Sequence, residues 1–305
     1  MSTLEKRTLG RTGLSVTALG YGAMDLGNVP ASGDTTDEQA SKVLNAVLDA
    51  GINFIDTAVC YGLSEARIGR AIAHRRGEYI LASKCGCMVG AMGGGEHVHT
   101  AANVRAGVEH SLRAMRTDYL DIVQIHRSLT RREWEEEGAL AELLAMKKEG
   151  KLRFIGVSGV LPQLPGQIES GVFDVFQIPY SALQREHEAV IASASAAGAG
   201  IIIRGGVARG SPGTDWKKNY YMLSTDEMSR RWDTARLDEL LDGMSRMEFM
   251  VRFVLAMPEL DTTIIGTKNI DHLRANVAAA LKGPLPADIV AEAKRRLDMA
   301  GSRPQ

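Results

Sequence analysis

The chain has 305 residues, with 36 Lys or Arg against 37 Asp or Glu, so its formal net charge is −1 and bulk charge predicts no attraction to nucleic acid or membrane surfaces. No apolar run approaches the roughly 20 residues that span a bilayer, and the opening MSTLEKRTLG lacks the apolar core of a signal peptide. Three cysteines without a regular framework indicate a reducing compartment, so we expect a soluble cytoplasmic protein.

Short strands and amphipathic helices alternate along the chain. Two extended runs around Gly10-Arg11-Thr12-Gly13 predict a hairpin. Strand-like runs follow at 17–22, 53–56, 79–83, 120–125, 152–158, 173–178, 201–203 and 262–265. Helical periodicity occurs near 36–50, 64–74, 103–115, 135–149, 185–196, 247–257, 270–281 and 287–299. The least patterned stretches, 86–99 and 211–233, are expected to be loops over the site, the second contacting substrate or cofactor.

This alternation predicts βαβ units and a parallel sheet. Eight strands favour a closed barrel over an open sheet. The predicted fold is therefore an α/β (β/α)8 TIM barrel with an N-terminal β-hairpin and an extra C-terminal helix. No linker or composition break interrupts the chain, so residues 1–305 are predicted to form a single domain.

Three successive predicted strands end in a charged or titratable residue. These residues are Asp56, Lys84 and His126. A charged group at the end of a buried strand is costly unless it has a partner. Catalytic groups of α/β barrels lie at the carboxyl ends of the strands, on the βα loops. We therefore expect the three side chains to converge on one rim, near the loop that carries Tyr61.

The segments GINFIDTAVCYG, ILASKCG and TDYLDIVQIHR resemble the catalytic segments of the aldo-keto reductases. That family uses an Asp, a Tyr, a Lys and a His in this order. The resemblance extends from about Leu9 to Ala280 and implies catalytic roles for four residues: Asp56, Tyr61, Lys84 and His126. Each residue alone has an ordinary explanation as a turn, packing or surface residue, but together at this spacing they favour the catalytic interpretation.

The implied reaction is the reversible reduction of an aldehyde or ketone to an alcohol. A nicotinamide supplies the hydride, and Tyr61 supplies the proton. A free tyrosine has a pKa of about 10, which a nearby ammonium lowers. Lys84 would provide that ammonium, Asp56 would hold it, and His126 would orient the carbonyl. Two alternatives stay open: a Schiff-base lyase using Lys84, and a cofactor-bearing regulatory subunit with little turnover.

The resemblance also implies NADPH as cofactor, with NADH as the alternative. The implied contacts are Gly22, Ala23 and Met24 after the first barrel strand, and Ser158 and Gln177 on the fifth and sixth. Further contacts are implied after the seventh strand at Arg204, Gly205, Gly206, Arg209 and Gly210, and after the eighth at Gly266, Thr267, Lys268, His272 and Asn276. The alternatives are a satisfied core amide for Gln177, plain turns for the glycines and an ordinary helix cap near 269.

This chain departs from the family pattern at several cofactor positions. Gly159 stands where the family usually has Asn, and Arg204 stands where many members have a stacking Tyr. His272 and Ala275 replace a frequent Arg and Glu. We expect Lys268 to compensate by binding the 2′-phosphate of NADPH.

Cys85-Gly86-Cys87 invites a metal or redox interpretation. No paired Cys or His cluster at ligand spacing accompanies it, so no metal is expected. Cysteines one residue apart rarely reach disulfide geometry without strain, so both are expected to be free thiols. Glu96, His97 and His99 are expected to lie in a solvated loop, with substrate contact as the alternative.

Overall fold

The computed structural model describes residues 3–30, 32–90, 97–210 and 225–305, without the side chains of Arg209 and Thr225. The chain opens with the predicted hairpin, in which β1 (Lys6–Thr8) pairs antiparallel with β2 (Ser15–Thr17). A single 3-10 turn, Gly10–Thr12, joins them. Gly10 has φ +44° and packs so tightly that a Cβ would lie 2.2 Å from the Gly200 nitrogen, so only glycine fits.

Eight parallel strands close into a barrel, which confirms the predicted fold. The barrel strands are β3 (Leu19–Gly22), β4 (Phe54–Asp56), β5 (Ile80–Cys85), β6 (Leu120–His126), β7 (Leu152–Ser158), β8 (Val175–Pro179), β9 (Gly200–Arg204) and β10 (Thr262–Ile265). The strands follow one another around the barrel in chain order, and β10 pairs with both β9 and β3. Because all strands run in the same direction, their carboxyl ends share one rim.

Helices follow the strands on the outside of the barrel. They are α1 (Asp37–Asp49), α2 (Ser64–Ile72), α3 (Ala101–Met115), α4 (Arg131–Glu136), α5 (Ala139–Lys148), α6 (Leu164–Glu169), α7 (Glu188–Ala196), α8 (Thr225–Thr234), α9 (Arg246–Leu255), α10 (Ile270–Leu281) and the predicted extra C-terminal helix α11 (Ala287–Met299). None of the helices in the described ranges is long and apolar enough to cross a membrane.

The first of these helices shows how the sequence determines an element. The Thr36 side chain accepts a hydrogen bond from the Gln39 backbone N–H at 3.2 Å and caps α1. Gly51, with φ +84°, follows the end of the helix. Val43 and Val47, one turn apart, are fully buried on the face toward the barrel. Burying such a side chain stabilises the fold by about 1.5–3 kcal/mol.

The expectation that 211–233 is a loop was wrong for its second half. Helix α8 begins at Thr225, whereas 211–224 lies outside the described residues. Met228, Trp232 and Ala235 are buried, at spacings of four and three residues. This is a short apolar stripe among charged residues, and tertiary packing of that stripe stabilises the helix.

Two other differences from prediction concern whole helices. The single helix expected at 135–149 is two helices, because Gly138 adopts φ +81° between α4 and α5. The start of α4 has a capping box between Thr130 and Glu133. The short α6 was not predicted, although Pro165 in its first turn is a known start signal.

A buried carboxyl lies behind the rim, between α2 and the barrel. Glu65 accepts hydrogen bonds from the Ser83 hydroxyl at 2.6 Å and the Ser111 hydroxyl at 2.7 Å through one oxygen. Its other oxygen has no partner among the described residues. Burial raises the pKa of this carboxyl to about 7. Glu65 is therefore a group whose charge opposes folding at alkaline pH.

Candidate active site

An ion pair lies at the carboxyl ends of β4 and β5. The Lys84 ammonium donates to Asp56 Oδ2 at 2.5 Å and to the Thr57 carbonyl at 2.8 Å. The side chains are 0% and 2% exposed, respectively. The predicted convergence of these two strand ends is therefore confirmed, and the ammonium is fixed rather than solvated.

The second oxygen of Asp56 is held by two amides. Gln124 Nε2 on β6 donates to Asp56 Oδ1 at 2.9 Å, and Gln177 Nε2 on β8 donates to the same oxygen at 2.8 Å. The Ser158 hydroxyl donates to Gln177 Oε1 at 3.0 Å. The side-chain amides of Gln124 and Gln177 thus both support the buried carboxylate. The family resemblance had implied that Gln177 binds the cofactor. Gln124 was not predicted as a site residue. A glutamine inside the mostly apolar run 120–125 is a sequence signal that could have identified it.

Tyr61 and His126 complete the predicted set of four. The Lys84 Nζ atom lies 5.0 Å from the centroid of the Tyr61 ring. The rings of Tyr61 and His126 meet edge-on with centroids 6.0 Å apart. Both side chains are partly exposed, whereas Asp56 and Lys84 lie beneath them. The arrangement presents a phenol and an imidazole to the barrel mouth above a buried cation.

The protonation state of His126 follows from its surroundings. Burial lowers the pKa of this imidazole well below its usual range, and the positive charge of Lys84 lowers it further. His97 and Arg204 act in the same direction. His126 is therefore neutral at physiological pH and can donate a hydrogen bond without carrying a charge.

The loop after β5 lies against this histidine. The expectation that His97 and His99 are solvated was wrong: His97 is half-buried, with its ring centroid 5.0 Å from that of His126, and His99 is 2% exposed. A Cβ at Gly86, whose φ is +96°, would lie 2.3 Å from His99 Nε2. Glu96 lies outside the described residues. The loop therefore belongs to the wall of the site.

All three cysteines lie among the described residues, and they are buried free thiols, as predicted for Cys85 and Cys87. Cys87 Sγ donates to Cys60 Sγ at 2.9 Å. The hydrogen bond from Cys87 lowers the pKa of the Cys60 thiol. Cys85, which has no such partner, has its pKa raised to about 12 by burial. Cys60 and Cys87 thus form a thiol pair beside Tyr61.

Two of the segments implied to bind cofactor, those after β3 and β10, lie side by side at the mouth of the barrel, and β3 pairs with β4 beside Asp56. The Tyr21 hydroxyl donates to the Thr267 carbonyl at 2.7 Å. A Cβ on Gly266 would lie 2.7 Å from the Gly22 carbonyl oxygen, so the segments that follow β3 and β10 are in direct contact. Ala23 is fully buried and Met24 is partly exposed.

The loop after β9 begins at Arg204 and continues through Gly205 to a 3-10 turn, Ala208–Gly210, whose backbone includes Arg209. Gly205 has φ +72° with open space around it, whereas a Cβ on Gly206 would lie 2.8 Å from Thr263 Oγ1. Gly206 is therefore required by packing. Phosphate sites of α/β barrels frequently lie in the loops after the last two strands, which is where this loop stands.

A groove of about 370 Å³ opens between α1 and the start of α10. It is lined by Thr36, Glu38, Gln39, Lys42, Val43, Lys268, Asn269 and Ile270. The Lys268 ammonium donates to the carbonyls of Ser32 at 2.7 Å and Asp34 at 2.9 Å. Arg274 instead pairs with Asp271 at 3.1 Å on the exposed surface. His272 is exposed and Asn276 partly exposed, and neither lines the groove.

Comparison with known proteins decides the family. A model of the Aldo/keto reductase family matches residues 18–297. The chain belongs to this family. It is therefore an oxidoreductase, and like other aldo-keto reductases it uses a nicotinamide cofactor.

Several relatives match this aldo-keto reductase over most of its length. The structure of aldo-keto reductase AKR11C1 from Bacillus halodurans in its holo form has a TM-score of 0.82 and 29% identity, covering 96% of each chain. L-galactose dehydrogenase of Arabidopsis thaliana is 29% identical over 92% of this chain and 89% of its own. NADH-specific methylglyoxal reductase of Escherichia coli is 29% identical over 61% of each chain.

Proposed function

We propose that this aldo-keto reductase reduces small aldehydes or ketones to alcohols, reversibly, with NADPH as the preferred reductant. The observation that carries the proposal is the Lys84 ammonium, held by Asp56 at 2.5 Å and lying 5.0 Å from the centroid of the Tyr61 ring. A fixed cation next to a phenol favours the phenolate and so makes the phenol a better acid. The geometry supports Tyr61 as the proton donor.

The protein groups act on the substrate oxygen. When bound, the nicotinamide supplies hydride to the carbonyl carbon. Tyr61 gives its proton to the carbonyl oxygen, and Lys84 stabilises the negative charge left on the phenolate. Asp56 is held in turn by Gln124 and Gln177 and keeps the ammonium in place.

His126 orients the substrate in this proposal. A neutral imidazole has one N–H, and its lowered pKa keeps His126 in that state. Donation to the carbonyl oxygen fixes the oxygen within reach of Tyr61, whose ring lies edge-on to the imidazole. Such positioning lowers the barrier by holding the reacting atoms in alignment.

The preference for NADPH rests on Lys268. The 2′-phosphate of NADPH needs a basic partner, whereas the 2′-hydroxyl of NADH does not. Lys268 faces the groove beside α10, and its two hydrogen bonds to backbone carbonyls hold the ammonium there. Because one relative is named as NADH-specific, family membership alone does not determine the choice. The free thiols of all three cysteines support the further proposal of a reducing, cytoplasmic location.

The lyase alternative is less well supported by the same geometry. A Schiff-base lysine must present its nitrogen to the substrate, but the Lys84 nitrogen is buried and already donates to Asp56 and to the Thr57 carbonyl. Borohydride reduction in the presence of a carbonyl substrate would trap a covalent adduct at Lys84 in a lyase and leave a reductase unmodified. The regulatory-subunit alternative is tested by turnover.

The deciding experiment compares the wild type with Tyr61→Phe. NADPH oxidation is followed against a panel of aldehydes and ketones, and cofactor affinity is measured by fluorescence titration. We expect turnover to fall by about 10²–10⁴-fold, the usual contribution of a general acid, with cofactor affinity nearly unchanged. Near-normal turnover of a substrate whose chemical step limits the rate would exclude Tyr61 as the donor.

A further inference from the structure

Four potential metal ligands converge beside the proposed catalytic groups. Cys60 Sγ, Cys87 Sγ and one ring nitrogen each of His97 and His126 lie within 4.8 Å of one another. Cys87 Sγ is 3.0 Å from His126 Nδ1 and 3.5 Å from His97 Nε2, and Cys60 Sγ is 3.6 Å from His126 Nδ1. Two thiols and two imidazoles are a common ligand set of four-coordinate zinc.

The backbone holds these groups in place. Cys87 and His97 face each other in an isolated antiparallel bridge, which puts their side chains next to each other. Asn103 Nδ2 on α3 donates to the Val98 carbonyl at 2.7 Å and ties this loop to the barrel. His126 is the last residue of β6. Three of the ligands are thus positioned by backbone pairing rather than by a free loop.

The distances fit a tetrahedral ion with small adjustments. With Zn–S near 2.3 Å and Zn–N near 2.0–2.1 Å, a tetrahedron has S···N edges of about 3.6 Å and an S···S edge of about 3.8 Å. The 3.5 Å and 3.6 Å edges from Cys87 to His97 and from Cys60 to His126 already match. The 2.9 Å contact between the two sulfurs must open by about 0.9 Å, and the 3.0 Å contact from Cys87 Sγ to His126 Nδ1 by about 0.6 Å.

We propose that Cys60, Cys87, His97 and His126 form a binding site for a zinc-type divalent ion. Two thiolates with two imidazoles select borderline-soft metals over magnesium or calcium. Four protein ligands leave no open position, so the ion fixes His126 and the adjacent loop rather than polarising substrate. The expectation of no metal rested on the spacing around Cys85 and Cys87, whereas the proposed set joins residues from separate loops and does not include Cys85.

Cobalt(II) substitution tests the site without using enzyme activity, and so independently of the proposed reductase function. The full-length protein, reduced with a phosphine and freed of metal by a chelator, is titrated with Co²⁺. We expect one equivalent to bind, with the visible bands of tetrahedral cobalt and a near-ultraviolet thiolate charge-transfer band. Adding one equivalent of Zn²⁺ abolishes both signals, and Zn²⁺ raises the melting temperature of the wild type.

The variants separate this site from adventitious binding. Cys87→Ser loses the charge-transfer intensity and the zinc-induced rise in melting temperature, and His97→Gln weakens Co²⁺ binding at least tenfold. Cys85→Ala removes a buried thiol outside the cluster and keeps the full cobalt spectrum. Circular dichroism checks that each variant folds.

Equal cobalt spectra in wild type and Cys87→Ser, or no stoichiometric binding by the folded wild type, would overturn the proposal. Mass spectrometry showing that Cys60 and Cys87 form a disulfide in the phosphine-reduced protein would overturn it as well, because a disulfide cannot supply two thiolate ligands.

Discussion

Replacing Lys84 by methionine should show how much the stability of the fold and the enzyme activity depend on the buried ion pair. Lys84→Met keeps a chain of similar length but removes the charge that faces Asp56. Asp56 would keep the amide hydrogen bonds from Gln124 and Gln177, but it would have no counter-charge in a site that is 2% exposed. Breaking a buried pair by removing one partner costs about 3–5 kcal/mol.

The expected change in melting temperature follows from chain length. An unfolding entropy of about 2.1 cal/mol/K per residue gives roughly 0.64 kcal/mol/K for 305 residues. The loss therefore corresponds to a fall of about 5–8 °C in melting temperature. Carbonyl reduction should fall at least as far as in Tyr61→Phe, because the ammonium that tunes the phenol is gone.

A double-mutant cycle measures the contribution of the ion pair to stability directly. The free energy of unfolding of each variant is obtained from thermal and urea unfolding. Asp56→Asn combined with Lys84→Met leaves neither charge, and we expect it to recover more than half of the stability lost in Lys84→Met. Lys147→Met is the matched control, since Lys147 pairs with Asp174 at 3.2 Å while 38% exposed, and such a pair contributes about 0–1 kcal/mol. A single Lys84→Met variant as stable as the control, or a double variant no better than the single, would refute the reasoning.

Three further predictions use other parts of the structure. Lys268→Ala should weaken NADPH binding by about 10- to 150-fold, a charged hydrogen bond's worth of about 1.5–3 kcal/mol, and hardly affect NADH. Arg274→Ala is the control. An equal loss of affinity for both cofactors in Lys268→Ala would show that the 2′-phosphate does not bind at Lys268. The pKa of Glu65 is raised to about 7 from 4.5, so the stability due to its protonated form is complete below pH 4.5 and lost as pH rises through 7. Glu65→Gln should therefore gain about 3 kcal/mol over wild type at pH 8, but nothing at pH 4.5; a pH-independent difference in urea unfolding would contradict this. Gln124→Met should lower stability by about 1.5–3 kcal/mol, because one donor to the charged Asp56 is lost, and unchanged urea unfolding would show that the bond contributes nothing.

Much of the fold was readable because barrel strands and helices differ in period. Runs such as 201–203 are buried on both faces and are continuously apolar, whereas Val43 and Val47 recur at helical spacing. Helix α8 was missed because its apolar stripe is short and lies among charged residues. Local periodicity reports which face of an element is buried, but a short stripe gives too few repeats to report even that.

The sequence by itself determined the eight-strand order and the placement of Asp56, Lys84 and His126 at strand ends, because a polar residue closing an apolar run marks the rim of a parallel barrel. Only the tertiary structure decided what those residues meet. The neutral state of His126 depends on its burial and on the charges of Lys84 and Arg204, which approach through space. The contact between Cys60 and Cys87, 27 positions apart, depends on how two loops pack. Sequence spacing carries no information about such long-range partners, since they are brought together only when the barrel closes.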